Sequence, residues 1–271
     1  VGGEHVTLEA LQSLELDKKL GELGFNGPQT AAAIGTIIGR ACHPSSEMAT
    51  HAWLQERSGL GELIDYDFNR LSLYGMYQIS DKLLGKKAAI ECHLYDRERS
   101  LFALQETITL YDLTNTYFEG QCRSNALAAH GHSKEKRSDC PLVTLGLVLD
   151  SSGFLRRSHV YEGNVNEPKT LSEMLSDLEE GGTSAGQKPT VVMDAGIATE
   201  DNITWLQGHH YPYLVVSRKK HREFDEAQSV VVKKDDECTV RAQRVFDDET
   251  QETLLYCHST KREKKDQAIG D

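Results

Sequence analysis

No stretch of this 271-residue chain stays apolar for long. The longest such run, Ala31 to Ile38, is broken by Gly35 and falls far short of the roughly 20 residues a membrane helix needs. No membrane partner is therefore expected. No charged segment followed by an apolar one marks a secretory leader, and a cytoplasmic location is the expectation. None of the six cysteines (Cys42, Cys92, Cys122, Cys140, Cys238, Cys257) belongs to a C-x-x-C pair. That argues against a disulfide framework and a zinc ribbon, and it fits a reducing compartment. Three of them precede a histidine (Cys42-His43, Cys92-His93, Cys257-His258). Adjacent side chains in a strand point to opposite faces, which disfavours a shared ion there. Internal repeats and low-complexity tracts are missing too, which excludes solenoid architectures. Positive charge is short: 30 Lys and Arg against 42 Asp and Glu leave a net charge of -12. This weighs against a nucleic-acid partner, because phosphate neutralisation by cations supplies most nonspecific affinity.

The cations that are present are clustered. Lys134, Lys136 and Arg137 form one group, Arg218, Lys219, Lys220 and Arg222 a second, and Lys261, Arg262, Lys264 and Lys265 a third. Solvated loops account for such runs as readily as a binding surface does. With 38% apolar residues the chain can bury a core as one large domain or two smaller ones. It begins at Val1 rather than Met and stops in the charged segment KREKKDQAIGD, and so reads as cut at both ends.

Up to about Ser100 the apolar spacing is helical, as in LEALQSLELDKKLGELGF and LSLYGMYQISDKLLGKK, with breaks at Gly27-Pro28 and His43-Pro44. Near Leu104 the pattern turns to strands: ETITLYD, then LVTLGLVL, a turn at Asp150 to Gly153, and FLRRSHVYEG returning. Asn166 and Pro168 open a helix whose apolar stripe is Leu171, Met174, Leu175 and Leu178. The strand TVVMD, a helix capped by Thr199, and the strand YLVVS complete an order β-β-β-α-β-α-β. Two further strands, CTVRAQRVF and ETLLYCH, flank the turn DDETQ. The expected division is a helical region over 1–103, an α/β core over 104–220 and the start of a β-rich insertion over 221–271.

Asp112 and Asp194 fall in or at the end of two of these strands. A buried ionised carboxylate must be paired or hold a metal, since its desolvation otherwise costs several kcal/mol. Oxygen ligands of this kind favour Mg²⁺ or Mn²⁺, and two such ions roughly 4 Å apart promote phosphodiester cleavage and transfer. Aspartate also ends strands as a turn former, so the pair alone leaves both readings open. His130, His132, His159, His209 and His210 lack the helical spacing of a metal motif, and Trp53 and Trp205 read as core aromatics.

The segments LYDLTNTYFEG, GHSKEKRSDCP and VVMDAGIATEDNITWL followed by YPYLVVSRK resemble the DDE-class transposases of bacterial insertion sequences, over roughly Glu106 to Arg218. The resemblance implies an RNase H-like mixed-sheet core with Asp112 and Asp194 as the first two catalytic, metal-binding carboxylates. It implies Mg²⁺ or Mn²⁺ as cofactor, Thr114 near the first metal, and Gly131 to Asp139 as a loop close to the core. The partners it implies are double-stranded DNA, terminal inverted repeats and target DNA, with a homodimer compatible, in a bacterial or archaeal cytoplasm. Lys134, Lys136, Arg137, Arg218, Lys219 and Lys220 would contact DNA. Such enzymes complete their triad with a glutamate on a helix beyond the insertion, and no segment before Asp271 matches it. Glu119, Glu162 and Glu200 are not placed to replace it, so the chain is expected to be a nearly inactive fragment. Two alternatives stand beside this reading: a non-catalytic DNA-end-binding or dimer-forming regulator, and a hydrolase using the two aspartates as acid and base.

Overall fold

The computed structural model describes residues 2–104, 108–131, 137–166, 169–180, 188–216, 223–248 and 250–270. The chain forms two compact units, 1–216 and 217–271.

The first unit begins with seven helices: α1 (Gly2–Ser13), α2 (Leu16–Glu22), α3 (Gly27–Cys42), α4 (Glu47–Glu56), α5 (Leu60–Ile64), α6 (Leu73–Gly85) and α7 (Lys87–Phe102). The single helical run expected over the first 25 residues is broken at Glu15, which adopts a left-handed φ of 53° between α1 and α2. The start of α3 carries a capping box in which the Asn26 side chain accepts from Gln29 N and the Gln29 side chain accepts from Asn26 N. Small residues let α3 run through the middle of the helical part, and Ala31, Ala32, Ala33, Ile34 and Ile38 are all buried. They join Leu8, Leu20, Leu54, Leu60, Phe68 and Met76 in a core drawn from the helices and the short segments between them. Trp53 packs on its edge.

A five-stranded sheet follows, in the order β3-β2-β1-β4-β5. Its strands are β1 (Ile108–Tyr117), β2 (Leu142–Asp150), β3 (Leu155–Glu162), β4 (Thr190–Met193) and β5 (Tyr213–Val215). β1, β2 and β3 pair antiparallel, whereas β4 lies parallel to β1 on its other side and β5 parallel to β4. Between them run α8 (Thr170–Glu180) and α9 (Glu200–Gly208). The four residues of the expected stripe, Leu171, Met174, Leu175 and Leu178, are buried against Tyr111, Leu113, Val148, Val191, Met193 and Leu206. Trp205 lies on the edge of this second core. α8 is described from Thr170, and the Asn166 carbonyl accepts from Lys169 N; the expected first turn at 167–168 lies outside the described residues. Turn chemistry at the β2–β3 hairpin follows the sequence: Asp150 Oδ1 accepts from Ser152 N and Phe154 N, and Gly153 supplies a φ of 88°. This is the strand order and pairing of an RNase H-like mixed sheet, preceded by an all-helical region.

Polar contacts join α7 to β3. Ser158 donates to Glu91, Lys87 reaches both the Ser158 carbonyl and Glu91, and Arg157 donates to the Ala88 carbonyl. Further along α7, burial and then the charge of Asp150 raise the carboxyl of Glu98 above the ordinary glutamate range. The ionised form is therefore disfavoured by folding. Stability is fully present below the unfolded value and is lost as pH rises through the raised folded one. Glu98→Gln should accordingly raise the melting temperature at neutral pH, with a gain that vanishes as pH falls below the ordinary carboxyl range. Thermal melts of both proteins across pH check this.

The second unit is a three-stranded antiparallel sheet of β6 (Val230–Lys234), β7 (Thr239–Asp247) and β8 (Glu252–Ser259), followed by α10 (Thr260–Gly270). β7 and β8 are the expected pair around the DDETQ turn, and β6 is an additional edge strand.

Candidate active site

β1 pairs with β4 in parallel register, Thr109 beside Val191 and Leu110 beside Val192. Two residues further on, the same register brings Asp112 level with Asp194, just past the last residue of β4. The chain leaves β1 towards β2 on one side, whereas β4 leads to β5 on the other. Strand connections thus diverge between the two carboxylates, the place where open sheets commonly form a crevice at their carboxyl ends.

Neighbouring residues fix how each aspartate is presented. Tyr111 and Leu113 are buried in the core beneath α8, so strand alternation turns Asp112 and Thr114 to the other face, where both are exposed. Tyr111 is anchored by a 2.5 Å contact between its hydroxyl and that of Thr170, the first residue of α8. Tyr161 lies against the same group, its hydroxyl donating to the Thr170 carbonyl at 3.5 Å. Burial, then the neighbouring Tyr111, pushes the Tyr161 phenol well above its ordinary range, so this hydroxyl stays protonated.

Asp194 closes a tight turn. Its Oδ1 accepts from Gly196 N at 2.9 Å and Ile197 N at 3.1 Å, and its carbonyl accepts from Ala198 N at 3.2 Å. Thr199 then caps α9, its hydroxyl accepting from Asn202 N, while the Asn202 side chain donates to the Ile197 carbonyl at 2.7 Å. A Cβ at position 196 would stand 3.1 Å from Asp194 Oδ1, so glycine suits the folded-over carboxylate. The Asp-x-Gly spacing carried that signal, although Gly196 does not stand out in the sequence as a site residue. Asp112 Oδ1 accepts from Leu113 N at 2.9 Å. On each aspartate Oδ2 is left without a hydrogen bond among the described residues.

The expectation of buried carboxylates is corrected by this geometry: both aspartates are exposed. Desolvation does not force a cation upon them; the two strands present them to solvent side by side. The donor set fits a hard divalent ion of the Mg²⁺ type, which commonly takes one or two protein carboxylates and completes its shell with water and substrate phosphate. Among the described residues no group of three or more His, Cys, Asp or Glu gathers for a metal.

Arg137 is held internally. It makes two bonds to Asp139, at 2.9 and 3.0 Å, and lies 4.7 Å over the Tyr117 ring. The hydrogen bonds from Arg137 hold the Asp139 carboxyl well below the usual range. Lys134, Lys136, Arg218, Lys219 and Lys220 lie outside the described residues.

A mixed sheet of this order with two acidic side chains level on neighbouring parallel strands has the frame of an RNase H-like domain. The sequence matches the family described as "Transposase DDE domain" over residues 104–262, more than half of the chain. The chain belongs to that family. No curated protein matches it. Among solved structures it is similar to a piggyBac transposase synaptic complex with hairpin DNA, at 12% identity and a TM-score of 0.41, covering 86% of this chain and 52% of that one. It is also similar to a Mos1 transposase paired-end complex with the left transposon end, at 12% identity and a TM-score of 0.30, covering 63% and 58%. A pre-cleavage Mos1 transpososome aligns at 10% identity and a TM-score of 0.30, covering 75% and 77%. The chain thus spans little more than half the length of the first two transposases. Its family rests on the sequence match and not on these superpositions.

Proposed function

We propose that this chain supplies the catalytic carboxylates of a DNA transposase that cuts and rejoins strands at the ends of an insertion sequence. The observation that carries the reading is the register that sets Asp112 level with Asp194. Among the described residues each offers an Oδ2 without a hydrogen bond, while its Oδ1 is fixed by backbone N–H. Asp112 and Asp194 would hold Mg²⁺ or Mn²⁺, and such an ion supplies charge neutralisation at a transferring phosphoryl group. The chain's own part is positioning. Tyr111, locked to Thr170, sets the strand beneath Asp112, and the Asp194 turn with its capped helix sets the second carboxylate. Thr114, on the same face of β1 as Asp112, faces the same space.

Duplex DNA is the proposed substrate and partner, with terminal inverted repeats and target DNA as its two forms and a homodimer as the assembly. The net charge of -12 is unfavourable for contact with phosphates along the whole surface, so contact would be confined to local basic positions. The segments bearing Lys134 and Lys136 and Arg218 to Lys220 are the proposed ones.

The test is calorimetric titration of Mn²⁺ into the chain and into Asp112→Asn and Asp194→Asn. Binding lost in both variants supports one shared site. Three proteins behaving alike would sink the reading and favour the non-catalytic DNA-binding alternative.

A further inference from the structure

Beyond the end of β1, the chain builds a second concave site of about 460 Å³, lined by Gly120, Gln121, Arg123, His130, Asp139 and Cys140 with Pro141. Its walls are fixed by the backbone. Phe118 N donates to the Pro141 carbonyl, and Ala129 and Leu142 exchange two hydrogen bonds of 3.1 and 2.9 Å. Gly163 N donates to the Leu127 carbonyl at 3.1 Å. Gly131 and Gly163 meet backbone to backbone, so closely that a Cβ on either would stand 2.1 Å from a carbonyl oxygen. The loop strand carrying His130 is therefore pinned to the sheet.

The charges in this cavity are unevenly committed. Asp139 is matched by the two bonds from Arg137. Arg123 and His130 are exposed and make no hydrogen bond or ion pair among the described residues. One permanent cation and one imidazole thus face a cavity in which Asp139, the one carboxylate among the described lining residues, is already neutralised. A guanidinium fork suits a phosphate, and the imidazole adds a donor beside it. Tyr117, the last residue of β1, lies five positions beyond Asp112, roughly 17 Å at about 3.3 Å per residue. At about 3.4 Å per nucleotide along one strand, that is a reach of roughly five nucleotides.

We propose that this cavity is a phosphate subsite, in which Arg123 and His130 grip the DNA backbone several nucleotides from the carboxylate pair. The proposal rests on the DNA-processing reading above and adds to it a particular contact. It assigns a positioning role, not a catalytic one.

Binding of a fluorescent duplex of random sequence, measured over a series of salt concentrations, tests it. Each phosphate contact contributes about 0.9 to the slope of log affinity against log salt for duplex DNA. Arg123→Ala should weaken low-salt binding roughly tenfold and lower the slope by about one, with His130→Asn lowering affinity less. Arg123→Lys should keep the slope. Arg57→Ala, which removes an exposed arginine on the helical part, should change neither quantity. Arg123 has no partner to lose among the described residues, so its variants should melt like the wild type.

An unchanged affinity and slope in Arg123→Ala overturns the subsite while leaving the transposase reading intact. An equal loss in Arg57→Ala overturns it as well, by showing diffuse attraction. A wild-type chain that binds no DNA overturns both readings. Inorganic phosphate bound in calorimetry by the wild type and not by Arg123→Ala, with no change in duplex binding, marks a free-phosphate site and also overturns the proposal.

Discussion

Mn²⁺ should stabilise the wild-type chain by about 2.7 kcal/mol at one hundred times its dissociation constant, and should leave Asp112→Asn and Asp194→Asn unmoved. The expectation follows from linkage: an ion that binds the folded site and not the unfolded chain shifts the equilibrium by mass action. The geometry makes a sharper demand. If one cation bridges both carboxylates, the double variant should bind Mn²⁺ no more weakly than either single variant, because the shared site is already lost. Two independent weak sites would instead give losses that add. Without metal, all three variants should melt close to the wild type. Both side chains are exposed, and their hydrogen bonds run to neighbouring backbone that an asparagine oxygen can also satisfy. Melting curves with and without Mn²⁺ therefore separate ligand loss from folding damage, and require no cleavage activity.

Gly163→Ala should cost about 3 kcal/mol, at the upper end for an overpacked position. The added methyl would lie 2.1 Å from the Leu142 carbonyl oxygen and 2.4 Å from that of Ala129. Those atoms are themselves engaged in the two-bond bridge between Ala129 and Leu142, so neither can retreat without breaking a hydrogen bond. Flexible side chains absorb such an intrusion by rotating, and backbone cannot. Gly153→Ala, where nothing lies within 4 Å of the added carbon, should cost less and act only through its positive φ. Denaturant unfolding of the two variants measures the difference. If Gly163→Ala is as stable as the wild type, the close packing of the 127–131 segment on β2 is wrong.

Much of the sheet was legible because its signals are local. The apolar run of β2, the Asp-Ser-Ser-Gly turn, the stripe of α8 and the Thr199 cap each state an element within a dozen residues. The element order then leaves few ways to pair the strands. The aspartates were legible as strand residues, but their exposure was not. Alternation tells which residues share a face, not which face a helix covers, and here α8 covers the face of Tyr111 and Leu113. β6 escaped because Val230 to Val232 is a short run followed by lysines, which reads as readily as a loop. Arg123 gave no signal at all. Its importance comes from a cavity formed by segments about 20 residues apart in sequence, brought together by a backbone bridge that side-chain patterns do not encode. The residue types that make that bridge tight, Gly131 and Gly163, are ordinary turn glycines when read along the chain.

The junction of α7 and β3 gives the first unit its internal grammar. The helical core and the sheet core share no residue, and the seam between α7 and β3 carries hydrogen bonds of Glu91 with Ser158, Lys87 with the Ser158 carbonyl and Arg157 with the Ala88 carbonyl, beside the stacked rings of Phe102 and Phe154 and the Arg156 guanidinium over the Tyr95 ring. Oily surfaces slide over one another at small cost, because apolar attraction has no preferred direction. Hydrogen bonds have narrow angular wells. The hydrogen bonds of the seam therefore work as a keyway, letting the helical part dock on the sheet in one orientation and disfavouring those in which a buried Glu91 would lose its donors.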